Sequence, residues 1–398
     1  MLKPTTGRIV RHDYQLRLMP LYAANLILIF VSVMTSFVNA VFLSEFMTDA
    51  QVGLVYAAGS GFGLIVFLFV SRVLKKIGNY HLMFLFLVIN AVSLAIMPHA
   101  TNAVQAICLF LLHFITLPIL FYSIDIFLEA ALDNNESSTG TKRGLLLTLI
   151  GLVAAVAPLV MSIAIPDSGS FVYVYTLAAI AILPVLAIIR INLKQFSDPG
   201  YGELDIFAAI RSFWIQQDIR NVYLASLTLN MFFAFTVVYL PLYLIGEVGL
   251  SWDELGIMLS IGILAYLIFE YPVGYVADNY TGEKEFMALG FTILIITTAS
   301  VAFMTTSNFV YWTMLMFIMR IGASIVEVTT ESYFFKKTKS SDAQIISFFR
   351  TTRPASYIIV TLVGGLALLY IPFNLLFVVT AAIFIPALFF TMYLHDTK

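Results

Sequence analysis

Leu21-Tyr-Ala-Ala-Asn25-Leu-Ile-Leu-Ile-Phe-Val-Ser32-Val-Met-Thr-Ser36-Phe-Val-Asn39-Ala-Val-Phe-Leu43 is the stretch from which the fold is read. It holds no charged side chain. At about 1.5 Å per residue, a helix of this length crosses the roughly 30 Å hydrocarbon core of a bilayer. In lipid every backbone N–H and C=O needs an internal partner, so the run reads as helix; a barrel strand would be about ten residues of alternating polarity. Lys3, Arg8, Arg11 and Arg17 precede it. Its length exceeds that of a cleaved leader, and it is read as a retained first span.

Working outward, similar runs recur as far as Leu394. The predicted spans lie at about 21–43, 52–71, 80–98, 103–127, 144–165, 171–190, 221–245, 254–273, 285–304, 309–331, 345–370 and 373–394. The composition agrees: 61% of the 398 residues are hydrophobic and 11% charged, against about 25% charged in soluble domains, and the mean hydropathy is +0.95. No separate soluble domain fits between the spans, and nothing points to nucleic acid. Cys108 is the single cysteine, so neither a disulfide framework nor a cysteine metal site is available. No metal site and no cofactor is expected.

Lys and Arg are enriched on the cytoplasmic side of short loops, and here they fall on one side of the span map. The N-terminal tail, Arg72 with Lys75 and Lys76, Lys142 with Arg143, Arg190 with Lys194, Arg211 and Arg220, Lys284, Lys336 with Lys337 and Lys339, and Lys398 all lie on even-numbered returns. The opposite loops carry Glu45, Asp49, Asp167, Glu247, Asp253 and Glu254. Both termini are therefore expected in the cytoplasm, in a plasma (inner) membrane. Trp252 and Trp312 fall at outer ends and Trp214 in the central cytoplasmic segment, as an interfacial belt requires.

Tyr22 matches Tyr223, Gly53 Gly256, Gly78 Gly282, Asp125 Glu327, Glu129 Glu331 and Pro184 Pro386, at an offset drifting only from 201 to 204. A shift of six spans keeps the topology, so the chain is expected to be an all-α membrane protein of two parallel-repeat six-helix bundles, 1–190 and 221–398. In the 191–220 linker Ile206, Phe207, Ile210, Phe213 and Trp214 fall at helical spacing, which fits an amphipathic helix on the inner surface acting as a tether.

Glu270-Tyr-Pro-Val-Gly274-Tyr-Val-Ala-Asp278, followed by Gly282 and Lys284, resembles the G-x-x-x-D-R-x-G-R-K signature of the major facilitator superfamily. Asn279 replaces the usual arginine, and one residue is inserted before Gly282. In the first half the equivalent loop is Ser71-Arg-Val-Leu-Lys75-Lys76-Ile-Gly78, with Ser71 for the first glycine and Lys75 for the aspartate. Ala157-Pro158, within Gly151 to Ser162, is similar to the glycine-proline motif of the superfamily's proton-driven drug exporters, with most glycines missing. His113-Phe-Ile-Thr-Leu resembles the R-F-L-Q-G segment, with His113 in place of its arginine. The resemblance implies two bundles rocking about a central cavity lined by spans 1, 4, 7 and 10. On span 1, Asn25, Ser32, Ser36 and Asn39 share one stripe; on span 7, Ser226 and Asn230 share a face. They line the cavity or only pack helix on helix.

Ionisable groups at bilayer depth cost roughly 2.5–3.5 kcal/mol each and are functional candidates. Arg320 and His113 lie near the midplanes of spans 10 and 4, where an anionic substrate group or a transported proton could meet both. Alternatively, Arg320 is a hydrogen-bonding anchor between helices and His113 a satisfied buried imidazole. Asp125 with Glu129 and Glu327 with Glu331 share i, i+4 spacing near the cytoplasmic ends. With Arg143, Arg350 and Arg353 on the following spans, and Glu270 and Asp278 on span 8, they read as an inner gate of ion pairs. Proton coupling through one carboxylate is the alternative.

The expected function is secondary transport of a small solute by alternating access, with or without protons, by a monomer in the lipid bilayer. Export of amphipathic drug-like compounds competes with carriage of a polar metabolite, and a non-transporting sensor or scaffold of the same fold is the reading from another class. No H-E-x-x-H, G-x-S-x-G or phosphate-loop motif is present, so no enzyme is expected.

Overall fold

The computed structural model describes residues 18–132, 139–166, 169–196, 198, 215–338, 345 and 348–395. Among them every regular element is a helix. α1 is Leu18–Ser44. The next two predicted spans run on as one rod, Asp49–Ile96, bent where Gly78 leaves the helical region at φ 77°, ψ 161°; α2 is 49–77 and α3 79–96. Then follow α4 (Ala103–Leu132), α5 (Thr139–Ile163), α6 (Val172–Asn192), α7 (Gln217–Tyr243), α8 (Trp252–Val276), α9 (Glu283–Val301), α10 (Phe309–Lys337), α11 (Thr352–Ala367) and α12 (Phe373–Met392).

Among the described residues eleven helices are long and apolar enough to cross a membrane. α11 is the shorter one: its regular helix covers 16 residues, roughly 24 Å, instead of the predicted 345–370. Pro354 causes this. Its ring excludes the carbonyl four residues back and it offers no N–H, so a helix tolerates it only in the first turn. Thr351 N–H turns back to Phe348 O at 2.9 Å, and the helix starts afresh at Thr352. The predicted linker helix, with Ile206 through Trp214, lies outside the described residues.

Two starts and two corners use the same local chemistry about 200 residues apart. Thr48 opens α2 with a capping box to Gln51, and Ser251 opens α8 with one to Glu254; each satisfies two otherwise orphaned N–H groups. Gly282, before α9, takes φ 94°, ψ 168°, close to Gly78 before α3. Side chains strongly disfavour that region, and at Gly78 an added Cβ would also lie 2.5 Å from Asp198 Oδ2. Asp198 Oδ1 accepts the Asn79 N–H at 2.8 Å, so a residue of the 191–220 segment caps α3.

α1 packs on α4, α5 and α6, and the Asp49–Ile96 rod on α4 and α6. α7 packs on α10, α11 and α12; α9 packs on α10 and α12, and α8 on α10. Between these two groups the main contacts are the rod with α11, α5 with α8, and α1 with α7. The end of the molecule carrying Trp252 and the opposite end carrying Lys336 differ in how these contacts are made.

Candidate functional site

α8 and α10 run side by side in the same direction, in register by close approaches of glycine. A Cβ at Gly262 would lie 3.2 Å from Arg320 Cγ and 4.0 Å from Met316 Cγ; one at Gly274 would lie 3.3 Å from Val328 Cγ2. This register sets Tyr266 beside the Arg320–Ser324 turn and Glu270 beside the Ser324–Glu327 turn. Residues 320, 324, 327 and 331 form one stripe of α10, and 262, 266 and 270 one stripe of α8. Tyr266 is within electrostatic reach of Arg320, Glu327 and Glu270, and Glu327 of Glu270, Glu331, Arg353 and Arg320.

Arg320 is 7% exposed. Its guanidinium lies over the Phe232 ring of α7, 5.6 Å from the centroid, a cation–π contact. Among the described residues no ion pair reaches Arg320, Glu270 or Glu327. The buried Ser324 Oγ finds no hydrogen-bond partner, and the buried Tyr266 Oη has the Arg320 guanidinium as its side-chain neighbour. Buried polar groups are almost always paired, so unspent donors and acceptors around one buried cation mark a place built for something to bind.

His113 on α4 has a different setting. It is fully buried. Thr35 donates its hydroxyl to Val31 O at 2.8 Å, leaving its oxygen to accept from His113 Nε2–H at 3.2 Å. Asn90 Nδ2 donates to His113 Nδ1 at 3.2 Å and to Thr116 Oγ1 at 2.5 Å. Both ring nitrogens are thus satisfied in the neutral Nε2–H tautomer. The structure gives His113 and Arg320 separate surroundings, the one among α1, α3 and α4, the other among α7, α8 and α10.

On α1, Asn25 and Asn39 are buried; Asn39 Oδ1 accepts from Tyr175 Oη at 3.0 Å. Ser32 and Ser36 are half-buried, and Ser36 Oγ returns to Val33 O. On α7, Asn230 Nδ2 donates to Ser226 O at 2.8 Å and reaches Thr352 Oγ1 at 3.5 Å. Of these bonds, Tyr175 to Asn39 and Asn230 to Thr352 join helices, while Ser36 to Val33 and Asn230 to Ser226 stay within one. Of the predicted gate, Arg350 is paired with Glu331 at 2.8 Å, and Lys336 with Asp278 at 2.7 Å and with the buried Glu283. Asp125, Glu129 and Arg353 are exposed, Arg353 lies within electrostatic reach of Glu327, and the Arg143 side chain lies outside the described residues. These ion pairs at the Lys336 end join neighbours within the α7–α12 group, as do Asp218 with Lys337 and with His395.

At the Trp252 end the contacts cross between the groups. A Cβ at Gly53 would lie 2.2 Å from Tyr239 Oη and 2.9 Å from Gly365 Cα; one at Gly365 would lie 2.8 Å from Ala50 O. Tyr239 Oη donates to Thr361 O at 2.8 Å. On the other side a Cβ at Gly256 would lie 2.5 Å from Ser162 Cβ and 2.7 Å from Pro158 O, and Phe171 meets Trp252 edge-on, centroids 5.5 Å apart. Midway, Phe114 of α4 and Tyr357 of α11 face each other at 6.0 Å.

Sequence reading found Arg320, Glu270 and Glu327 but not Tyr266, Ser324 or Phe232. The signal for two of them was present: Ser324 stands four residues after Arg320, and Tyr266 four before Glu270, each on the same helical face as its neighbour.

The family model described as Major Facilitator Superfamily matches residues 21–343 and 222–398. A search of curated protein sequences returns no match. Among solved structures, the chain is similar to a mutant of the nucleoside transporter NupG, with TM-score 0.75 and 14% identity over 94% of this chain and 98% of that one. It is similar also to the POT family transporter PepTSo, with TM-score 0.76, 11% identity and coverage of 94% and 97%. A bacterial homolog of the human lysosomal transporter Spinster, inward-facing and unoccupied, gives TM-score 0.72 and 12% identity over 94% and 95%. At these identities the likeness is one of fold.

Proposed function

The chain belongs to the Major Facilitator Superfamily, and from that premise we propose that it carries a small solute across the membrane by alternating access. One observation supports this above the others. Helices of the α1–α6 and α7–α12 groups are locked together at the Trp252 end by Gly53, Gly365 and Gly256, whereas at the Lys336 end Lys336, Lys337 and Arg350 each pair inside the second group. The groups are the two six-helix bundles. The crossing pairs support that division, since α2 with α11 and α8 with α5 exchange under a shift of six helices.

With both termini in the cytoplasm, as the basic loops require, the closed end is the outer one and the arrangement is inward-facing. The Arg350–Glu331 pair then braces α10 against the start of α11, and a gate closing the inner side forms only in the opposite state. Glu270 and Glu327, within electrostatic reach of one another and, among the described residues, without cations in ion-pair contact, are the proton-coupling candidates: two like charges so placed favour binding one proton.

Purified protein in liposomes provides the test. Accumulation of solutes from a mixed metabolite pool is expected to rise with an imposed pH gradient and to be lost in Glu327→Gln. Passage that ignores the gradient overturns the coupling. A solute that protects against unfolding yet never crosses overturns transport and leaves a sensor.

A further inference from the structure

We propose that the α8–α10 face binds a zwitterionic organic solute, its anionic group on Arg320, Tyr266 and Ser324 and its ammonium end toward Glu270 and Glu327. The inference rests on the transport reading only for its consequence; the binding site stands on geometry. Arg320 offers a five-donor fork suited to a carboxylate. It is buried, held from behind by the Phe232 ring, and met by no acid in ion-pair contact among the described residues. The buried hydroxyls of Tyr266, beside the Arg320 guanidinium, and of Ser324, without a partner, add two groups able to donate to the same anion.

About two turns along the same stripe, Glu327 and Glu270 present negative charge. The separation from Arg320 is too large for an ion pair, though the charges still feel one another. The site is therefore a dipole with a gap, positive toward the Trp252 end and negative toward the Lys336 end.

Charge balance selects the ligand. With one proton bound by the Glu270 and Glu327 pair, the pair carries one negative charge against the one positive charge of the buried Arg320, so the site sums to zero; Arg353 is exposed and Glu331 is taken by Arg350. A net anion or net cation would leave one buried charge uncompensated, a costly state at low dielectric. A solute neutral overall but charged at both ends satisfies both poles. Aromatic rings flank it: Phe233 lies 6.3 Å from Tyr266, and Tyr357 faces Phe114 at 6.0 Å. A zwitterion with an apolar spacer between its charges fits better than a compact polar one.

Thermal unfolding of the full chain in nanodiscs with ε-aminocaproate and para-aminomethylbenzoate tests this, each beside its N-acetyl and its carboxamide derivative. The intact zwitterions are expected to raise the unfolding temperature. Blocking either end is expected to weaken apparent affinity at least about tenfold, as loss of a charge-assisted contact does. Arg320→Gln should remove the preference for acid over amide while keeping that for amine over N-acetyl; Glu270→Gln with Glu327→Gln should do the reverse. Tyr266→Phe and Ser324→Ala give milder probes of the anionic end should Arg320→Gln fold poorly. Equal binding of blocked and free forms, or no protection by either zwitterion, overturns the proposal. Transport of some other solute in liposomes would then still stand, whereas protection by a zwitterion that never crosses would keep this site and overturn transport.

Discussion

A guanidinium that is 7% exposed, lies over an aromatic ring and lacks an acidic partner costs the fold more than it returns. Arg320→Met is therefore expected to leave the unfolding temperature unchanged or raised, while solute uptake falls at least about tenfold, the equivalent of one lost charged hydrogen bond of roughly 1.5–3 kcal/mol. A variant that unfolds earlier and transports normally would make Arg320 a helix anchor. His113 should behave oppositely. His113→Ala empties a fully buried site and strands Asn90 and Thr35, a loss of about 2–4 kcal/mol read by denaturation. The pH profile of uptake by a folded His113→Gln protein should match the parent's. Sequence gave both residues the same standing because depth along a helix is legible from spacing. Neighbours are not: Thr35 and Asn90 lie 78 and 23 residues away from His113, and no local pattern announces them.

Among the elements, the glycine contact between α2 and α11 admits no added methyl. At Gly53 a Cβ would fall 2.2 Å from Tyr239 Oη, so Gly53→Ala is expected to push the two helices apart and favour the opposite conformation. In a Cys108→Ser background, a cysteine at Tyr357 should then react faster with an impermeant thiol reagent added from the Trp252 side; an unchanged rate would show the seal accommodating the methyl. Asp198→Ala removes the acceptor for the Asn79 N–H and should lower stability by about 0.5–2 kcal/mol, measured as a shift in denaturation midpoint. Helix boundaries were legible where capping residues or long apolar runs mark them, as at Ser251 with Glu254. The eleventh span was overdrawn because its composition stays apolar through Pro354 while its backbone cannot stay helical there. The fusion of α2 with α3 was hidden for the complementary reason: Arg72, Lys75 and Lys76 read as a loop, yet Lys and Arg are good helix formers, and only Gly78 bends the rod.

For the molecule as a whole, the proposed orientation, read from the basic loops, puts the Trp252 end outside. Asp253→Cys, again in a Cys108→Ser background, should be labelled by an impermeant reagent in intact cells, and Lys284→Cys only after permeabilisation; the reverse pattern would invert every assignment of side. Membership of a membrane family was readable from the recurrence of apolar runs. The closed end was not, because the glycines and Tyr239 that meet there are brought together from helices far apart in the chain. The glycine contacts of that closure, Gly53, Gly365 and Gly256 on Tyr239, Ser162 and Pro158, carry no formal charge, but Asp49 on α2 and Glu247 after α7 stand close enough beside them to repel one another. Dissolved ions screen that repulsion. Raising the ionic strength is therefore expected to favour the joined Trp252 end, whereas a voltage acts on the charges set deeper along α8 and α10.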